Sequence, residues 1–253
     1  MKIQRLVKLG LLWIGSVLFR NKKSKILFYH DVYTGKGYVA PDCGIVMGTP
    51  LDVFKKHVEA IKAEGFRIVP HITEEEGEVC IMLDDGFRGV WENRHYFYEH
   101  NICPTIFLAV DLIGQDGFLN TDEIIELQNH GFIFESHGWT HTNLTTKNDN
   151  ELTLELQNSR IYLSKMLQKD VQEICLPIGY FSNHLIEMAI KQGYSEIYSS
   201  IPGEYTNKIY GTLRPRILCQ FALPFEVKLL LRGGGNIIRK RYECLHHQPN
   251  FIS

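Results

Sequence analysis

Val79-Cys80-Ile81-Met82-Leu83-Asp84-Asp85-Gly86-Phe87, followed about fifty residues later by Glu135-Ser136-His137-Gly138-Trp139-Thr140-His141, decides how this 253-residue chain is read. An apolar run of that length reads as a buried strand, and a strand end holds a functional group rigidly. Two adjacent carboxylates cannot both be desolvated cheaply unless something cationic compensates them. Two histidines and one carboxylate leave coordination positions open for water and substrate, as catalytic zinc requires. The second carboxylate is then free to act as a base. Each half has a plainer reading on its own. Asp-Gly is a common turn pair, and histidines four apart occur on many surfaces. If residues 137–141 form one helical turn, the spacing brings both rings to one face.

Outward from this pair, strands and helices alternate. Lys25 to His30 reads as a first strand, and residues 31–50 read as a loop. From Leu51 the pattern is helical, with Phe54, Val58 and Ile61 on one face and Gly65 at the end. Strands are expected at 66–69, 78–83, 104–110, 132–134, 173–176, 197–200 and 213–218. Helices are expected at 90–100, after the capping box Asn120-x-x-Glu123, at 184–192, and along Leu152, Leu156, Leu163 and Leu167. This alternation predicts a mostly parallel α/β architecture. About seven strands are compatible with a barrel, whose site would lie at the carboxyl ends of its strands. Asp84, Asp85, His137 and Pro177 all fall at such ends.

No linker or repeat divides the chain, so one main domain is expected over residues 25–220, with terminal segments 1–24 and 221–253. The net charge of -2 argues against nucleic-acid binding. Cys43, Cys80, Cys103, Cys175, Cys219 and Cys244 form no Cys-x-x-Cys pair and read as thiols, which favours a reducing compartment. The apolar run Leu9–Phe19 lies between Lys2, Arg5 and Lys8 on one side and Arg20, Lys22, Lys23 and Lys25 on the other. It is too short to span a bilayer comfortably. It lacks a small-x-small cleavage site and fits a helix lying in the membrane surface better than a signal peptide. An uncleaved anchor and an ordinary packed helix are the alternatives. Residues 227–241, with three leucines, five basic residues and a glycine run, read as a second membrane-facing element or as a C-terminal helix with a glycine cap. The expected location is cytoplasmic, at the inner membrane face if residues 1–25 bind there, with export left open.

These residues resemble the polysaccharide deacetylases of the NodB-homology group, carbohydrate esterase family 4, over about residues 25–218. The family's Thr-Phe-Asp-Asp-Gly motif corresponds to Met82-Leu83-Asp84-Asp85-Gly86. Its His-Ser/Thr-x-x-His motif corresponds to His137-Gly138-Trp139-Thr140-His141. A third motif, often opened by Arg, corresponds to Cys175-Leu176-Pro177-Ile178-Gly179-Tyr180, where the Arg is not obviously kept. Gly193-Tyr194-Ser195, Gly203 and Leu213-Arg214-Pro215-Arg216-Ile217 resemble later segments. The resemblance implies a distorted (β/α)7 barrel. It implies that Asp85, His137 and His141 hold a divalent metal, most often zinc, and that Asp84 is the general base. A backbone N–H near Tyr180 would stabilise the oxyanion.

Many relatives place their general acid, a histidine, in a late Leu-rich strand, and nothing after Leu218 matches it. Ile26-Leu27-Phe28-Tyr29-His30 is a similar strand at the other end. First and last strands are neighbours in a closed barrel, so His30 is expected as the acid, with Asp31 as a candidate to orient it. Pro177, Tyr180, Trp139 and Arg216 are candidate sugar contacts. Arg214 and Arg216 are equally candidates to pair with Asp84, and Glu135 could face a helix end. The expected activity is metal-dependent removal of N-acetyl groups from a surface polysaccharide or lipid-linked sugar in a bacterial envelope pathway. The rivals are hydrolysis of a non-sugar amide, glycan binding without turnover, and iron-based oxygen chemistry. The adjacent second Asp disfavours the last, because an oxygenase needs no base there.

Overall fold

The computed structural model describes residues 2–39 and 44–248, with side chains from Arg5 onward. Cys43 lies outside the described residues; the five described cysteines are free. Strands β1 (Lys25–Tyr29), β2 (Glu78–Leu83), β3 (Thr105–Leu108), β4 (Ile133–Ser136), β5 (Glu173–Cys175) and β6 (Glu196–Tyr198) form one parallel sheet, each beside the next. The segment expected as a single strand over 213–218 is split. β7 (Leu213–Arg214) pairs with β6, and β8 (Ile217–Leu218) pairs with β1. Pro215, which has no N–H to give a ladder, stands at the break, and the Arg216 N–H turns away to Ile201 O at 2.9 Å. One short segment thus borders both edges of the sheet and curls it into a distorted (β/α) barrel.

The barrel explains why its strands read as unbroken apolar runs. Ile26, Phe28, Cys80, Met82, Phe107, Cys175 and Tyr198 point inward as one cluster. The alternate residues, among them Leu27, Ile81, Leu83, Ile106, Phe134, Ile174 and Ile197, point outward under the helices. Those helices are α1 (Lys2–Leu18), α2 (Leu51–Ala63), α3 (Thr121–Asn129), α4 (Ser159–Leu167), α5 (Asn183–Lys191), α6 (Pro224–Leu231) and α7 (Arg239–His246). α2 buries Phe54, Val58 and Ile61, and α3 opens with the Asn120–Glu123 capping box.

Three expected elements differ. The helix expected over 90–100 is two short pieces, Gly89–Glu92 and Arg94–Glu99. Asn93 between them sends its side-chain amide to the Val32 and Gly89 carbonyls, competing with the helix for acceptors. The helix expected from Leu152 to Leu167 is interrupted by a π-helical turn over Leu154–Asn158. Residues 227–241 are divided among three elements rather than one. Val227, Leu230 and Leu231 are buried in α6, Gly233 turns the chain at φ 95°, and a 3₁₀ stretch leads into α7. α1 crosses this turn closely. A Cβ on Gly15 would lie 2.6 Å from Gly234 O, so the glycines permit the backbone contact.

Candidate active site

β2 ends at Leu83, and the chain turns at once. Asp85 and Gly86 both adopt left-handed backbone, at φ 72° and 81°. Asp tolerates that region better than most residues. The turn separates the two carboxylates, and their surroundings give them different chemistry.

Asp84 is gripped by Arg216. The two guanidinium Nη atoms donate to Oδ1 and Oδ2, each at 2.7 Å, while Nε donates to Ser199 O at 3.0 Å. The guanidinium also lies 4.1 Å from the centre of the Phe28 ring. Burial by itself would raise the Asp84 pKa, but Arg216 outweighs it and holds the carboxyl below its ordinary value. Arg216 is fully buried, so it cannot reach a sugar, and its expected role as a sugar contact is corrected to that of Asp84's partner. Its Nη2 also stands 2.8 Å from Cys175 Sγ. The guanidinium therefore arrives from the break between β7 and β8 against the residue at which the third motif opens. Arg214, two residues away, pairs instead with Glu196 and stacks on Tyr205.

Asp85 has no such cation. His137 Nε2 and His141 Nε2 lie 3.1 and 3.0 Å from its Oδ1, yet that buried oxygen makes no hydrogen bond among the described residues. Three donor atoms, one from each residue, lie within 4.8 Å of one another. His137 Nδ1 lies 2.8 Å from Cys175 O, a contact that places the ring proton there and leaves Nε2 as the lone-pair donor. This His₂Asp set fits a divalent transition metal. Asp84, His137 and Cys175 also lie close together. Arg216 already satisfies Asp84, however, and burial pushes the Cys175 thiol well above its ordinary pKa, which keeps it protonated.

The two histidines do not share a helical turn. Residues 137–141 form a loop, with Gly138 at φ 77° and His141 at φ 54°. Glu155 shapes that loop. Its Oε2 accepts the Trp139 and Thr140 N–H groups at 2.9 and 3.1 Å, and its Oε1 accepts the Thr140 hydroxyl. Glu155 sits in the π-helical turn, which adds a residue to the helix and re-aims this side chain. In the sequence it is one more charged residue of a helix.

His30 follows β1, beside the residues that follow β8. Its Nδ1 meets Gln220 Oε1. Asp31 does not orient it. That carboxylate turns away, accepts the Val32 N–H at 2.8 Å, and lies under the Gly89–Glu92 helix. Its burial pushes its pKa up to about 7. Gln220 is a residue that sequence reasoning missed.

Pro177 is buried against Gly138. Ile178 and Gly179 are both left-handed, at φ 62° and 79°, a strained conformation for a β-branched residue. Tyr180 follows, half-buried, its ring 5.8 Å from that of His246. Its backbone N–H has no protein acceptor among the described residues. Trp139, half-buried, packs edge-on against Tyr162 of α4. Glu135 turns away from the site to accept the Gln172 and Glu173 N–H groups and the Lys169 ammonium.

A model of the polysaccharide deacetylase family matches residues 71–197. The Bacillus subtilis (strain 168) protein YxkH, named as a polysaccharide deacetylase, is 22% identical over 192 residues, covering 72% of this chain and 66% of that relative. The chain thus spans just under two thirds of YxkH. Among solved structures, the Streptococcus pyogenes deacetylase PplD in complex with acetate superposes with a TM-score of 0.68 at 19% identity, covering 83% of this chain and 98% of PplD. BC0361, a polysaccharide deacetylase from Bacillus cereus, superposes at 0.69 with 20% identity, covering 83% and 69%. At these identities the superpositions establish the shared fold.

Proposed function

The chain belongs to the polysaccharide deacetylase family, and from that premise we propose that it is a zinc-dependent N-deacetylase that releases acetate from an N-acetylated glycan. The observation that carries this reading is the convergence of His137, His141 and the unsatisfied Asp85 Oδ1 beside an Asp84 held ionised by Arg216. Asp85, His137 and His141 would hold the metal, which when bound supplies Lewis acidity to the amide carbonyl and the attacking water.

The remaining steps fall to the chain's own groups. Asp84 takes the proton of the attacking water; its bonds to Arg216 leave further carboxylate lone pairs for this. The Tyr180 N–H is the donor for the oxyanion that forms as the carbonyl carbon becomes tetrahedral. His30, its Nδ1 fixed by Gln220, gives a proton from Nε2 to the amine as the C–N bond breaks. Because Arg216 fills the place beside Cys175, the altered third motif does not argue for a binding protein without turnover. The substrate is a surface polysaccharide or its lipid-linked precursor.

The test is acetate release from N-acetylglucosamine oligomers with zinc added or chelated. Zinc-dependent acetate is expected from the wild type. Asp84→Asn should lower the rate by about 10²–10⁴-fold while retaining metal. His30→Ala should slow turnover without metal loss. Chelator-resistant release, or undiminished release by Asp84→Asn, refutes the mechanism.

A further inference from the structure

α1 has two apolar faces, and only one is covered. Leu12, Gly15 and Ser16 are buried against the glycine turn and α6. On the opposite side Leu6 (67% exposed), Trp13 (62%), Val17 (61%) and Leu18 (69%) stand in solvent with Val7 and Ile14 between them. No charged residue interrupts this outer stripe from Leu6 to Leu18. Its charges lie around it. Lys8 is exposed at one flank; Arg20, Lys22 and Lys23 are exposed just past the helix. Lys240 and Arg241 are exposed on α7. Lys22 and Lys23 lie beside Glu64 and Glu76, and Glu226 and Glu243 pair with Arg5 and Arg239, so among the described residues Lys8, Arg20, Lys240 and Arg241 are the cations of this face without a carboxylate partner. The stripe continues into a groove of about 550 Å³ between α1 and α7, lined by Val7, Leu11, Tyr242 and Leu245 with Lys8 and Arg241 at its sides.

We propose that this face docks in the plane of an anionic lipid bilayer, with the outer stripe of α1 among the acyl chains and the surrounding cations on lipid phosphates. A wholly apolar outer face bordered by uncompensated lysines and arginines is the pattern of an interfacial helix. A second copy of the chain would meet the same cations and repel them. No helix among the described residues is long and apolar enough to cross the membrane, so the contact is an in-plane one.

The docking face adjoins the site. A narrower crevice joins Lys8 and Leu12 of α1 to Ser200 and Leu218. Leu218 lies two residues before Gln220, the partner of His30, and Ser200 packs on Gly179 of the third-motif loop. α7 bridges both regions, with Leu245 in the groove and His246 beside Tyr180. A glycan carried on a membrane lipid would therefore meet the strand ends while its anchor stays in the bilayer. This last step rests on the deacetylase reading; the docking itself does not.

The experiment is flotation of the full chain with phosphatidylcholine vesicles, with and without phosphatidylglycerol, in parallel with acetate release from a soluble oligomer. The wild type should float with the anionic vesicles. Trp13→Glu/Val17→Glu, both at exposed positions, should abolish flotation and leave soluble-substrate turnover unchanged. Lys240→Gln and Arg241→Gln should each weaken it by about fivefold. A wild type that stays unbound, or a double variant that still floats, overturns the docking. So does a concentration-dependent dimer that the double variant dissolves, since the face would then belong to a second copy. Flotation without acetate release would sink the deacetylase reading and leave the docking standing.

Discussion

At the carboxyl ends of the strands, Asp84 is neutralised by Arg216 while Asp85 Oδ1 is left without a hydrogen bond; at the amino ends, Glu78, Glu173 and Glu196 open β2, β5 and β6 under quite different terms. Glu78 accepts two backbone N–H groups and the Arg67 guanidinium. Glu196 takes both Arg214 and Lys208. Glu173 has the Tyr198 hydroxyl, and its pKa is pushed up to about 7 by burial, with Glu135 and Glu196 adding to the rise. Both ends are rich in carboxylates and arginines. The amino end pairs its buried oxygens, as a structural cluster must. Among the described residues, Asp85 Oδ1 and Gln220 Nε2 at the carboxyl end make no hydrogen bond, nor does Tyr98 Oη elsewhere.

The sharpest way to break that contrast is His137→Ala. It removes one of three converging donors and should reduce bound zinc after dialysis to near zero, with loss of metal-dependent turnover. Glu196→Ala, at the other end, should keep its zinc. Equal metal content in the two variants would mean that the convergence at Asp85 is not a metal site.

Arg216 and Arg214 test the same contrast through stability. Arg216→Met leaves Asp84 buried without its cation and should cost about 3–5 kcal/mol in urea unfolding. Arg214→Met disrupts a partly exposed pair and should cost about 1 kcal/mol or less. Similar losses would show that the two ion pairs are equivalent, against the geometry.

Glu155→Gln keeps an acceptor but loses the charge that holds the Trp139 and Thr140 amides. Zinc affinity, measured by chelator competition, should fall about 10–100-fold, the range for groups that orient metal ligands. Undiminished affinity would make Glu155 a packing residue.

The smallest effect concerns the amino end alone. Glu173 has a folded-state pKa near 7, above its unfolded value of 4.5. Between those values the folded state binds more protons than the unfolded state, so stability falls as pH rises from about 4.5 to 7 and is level above. Allowing for the solvent that reaches it, its share is on the order of 1 kcal/mol. Glu173→Gln should flatten that slope in unfolding curves taken across the window; an unchanged slope would assign it to other groups such as Asp31.

Much of the fold was legible because its signals are local. The apolar run ending at Leu83, the capping box at Asn120 and the amphipathic stripe of α2 each act over a few residues, and each appears where the pattern places it. The break at Asn93 and the π-helical turn were not legible. One depends on which distant carbonyls are free to accept, and the other changes the helix by a single residue without altering its apolar pattern. Similarly, Arg214 and Arg216 look interchangeable in sequence, and only the break at Pro215 sends them to different carboxylates.

The sequence by itself determined the α/β class, the strand ends that carry Asp84, Asp85 and His137, and the pair of histidines that meet at Asp85, because periodicity and motif spacing are properties of short stretches. The tertiary structure decided which groups share a buried space. It brought Arg216 to Asp84 across 132 residues and Gln220 to His30 across 190, and it set Glu155 beneath the loop from His137 to His141. It also turned Asp31 away from the role its position suggested. Desolvation and ion pairing act between whatever the fold packs together, and barrel closure, not neighbourhood along the chain, chose those partners.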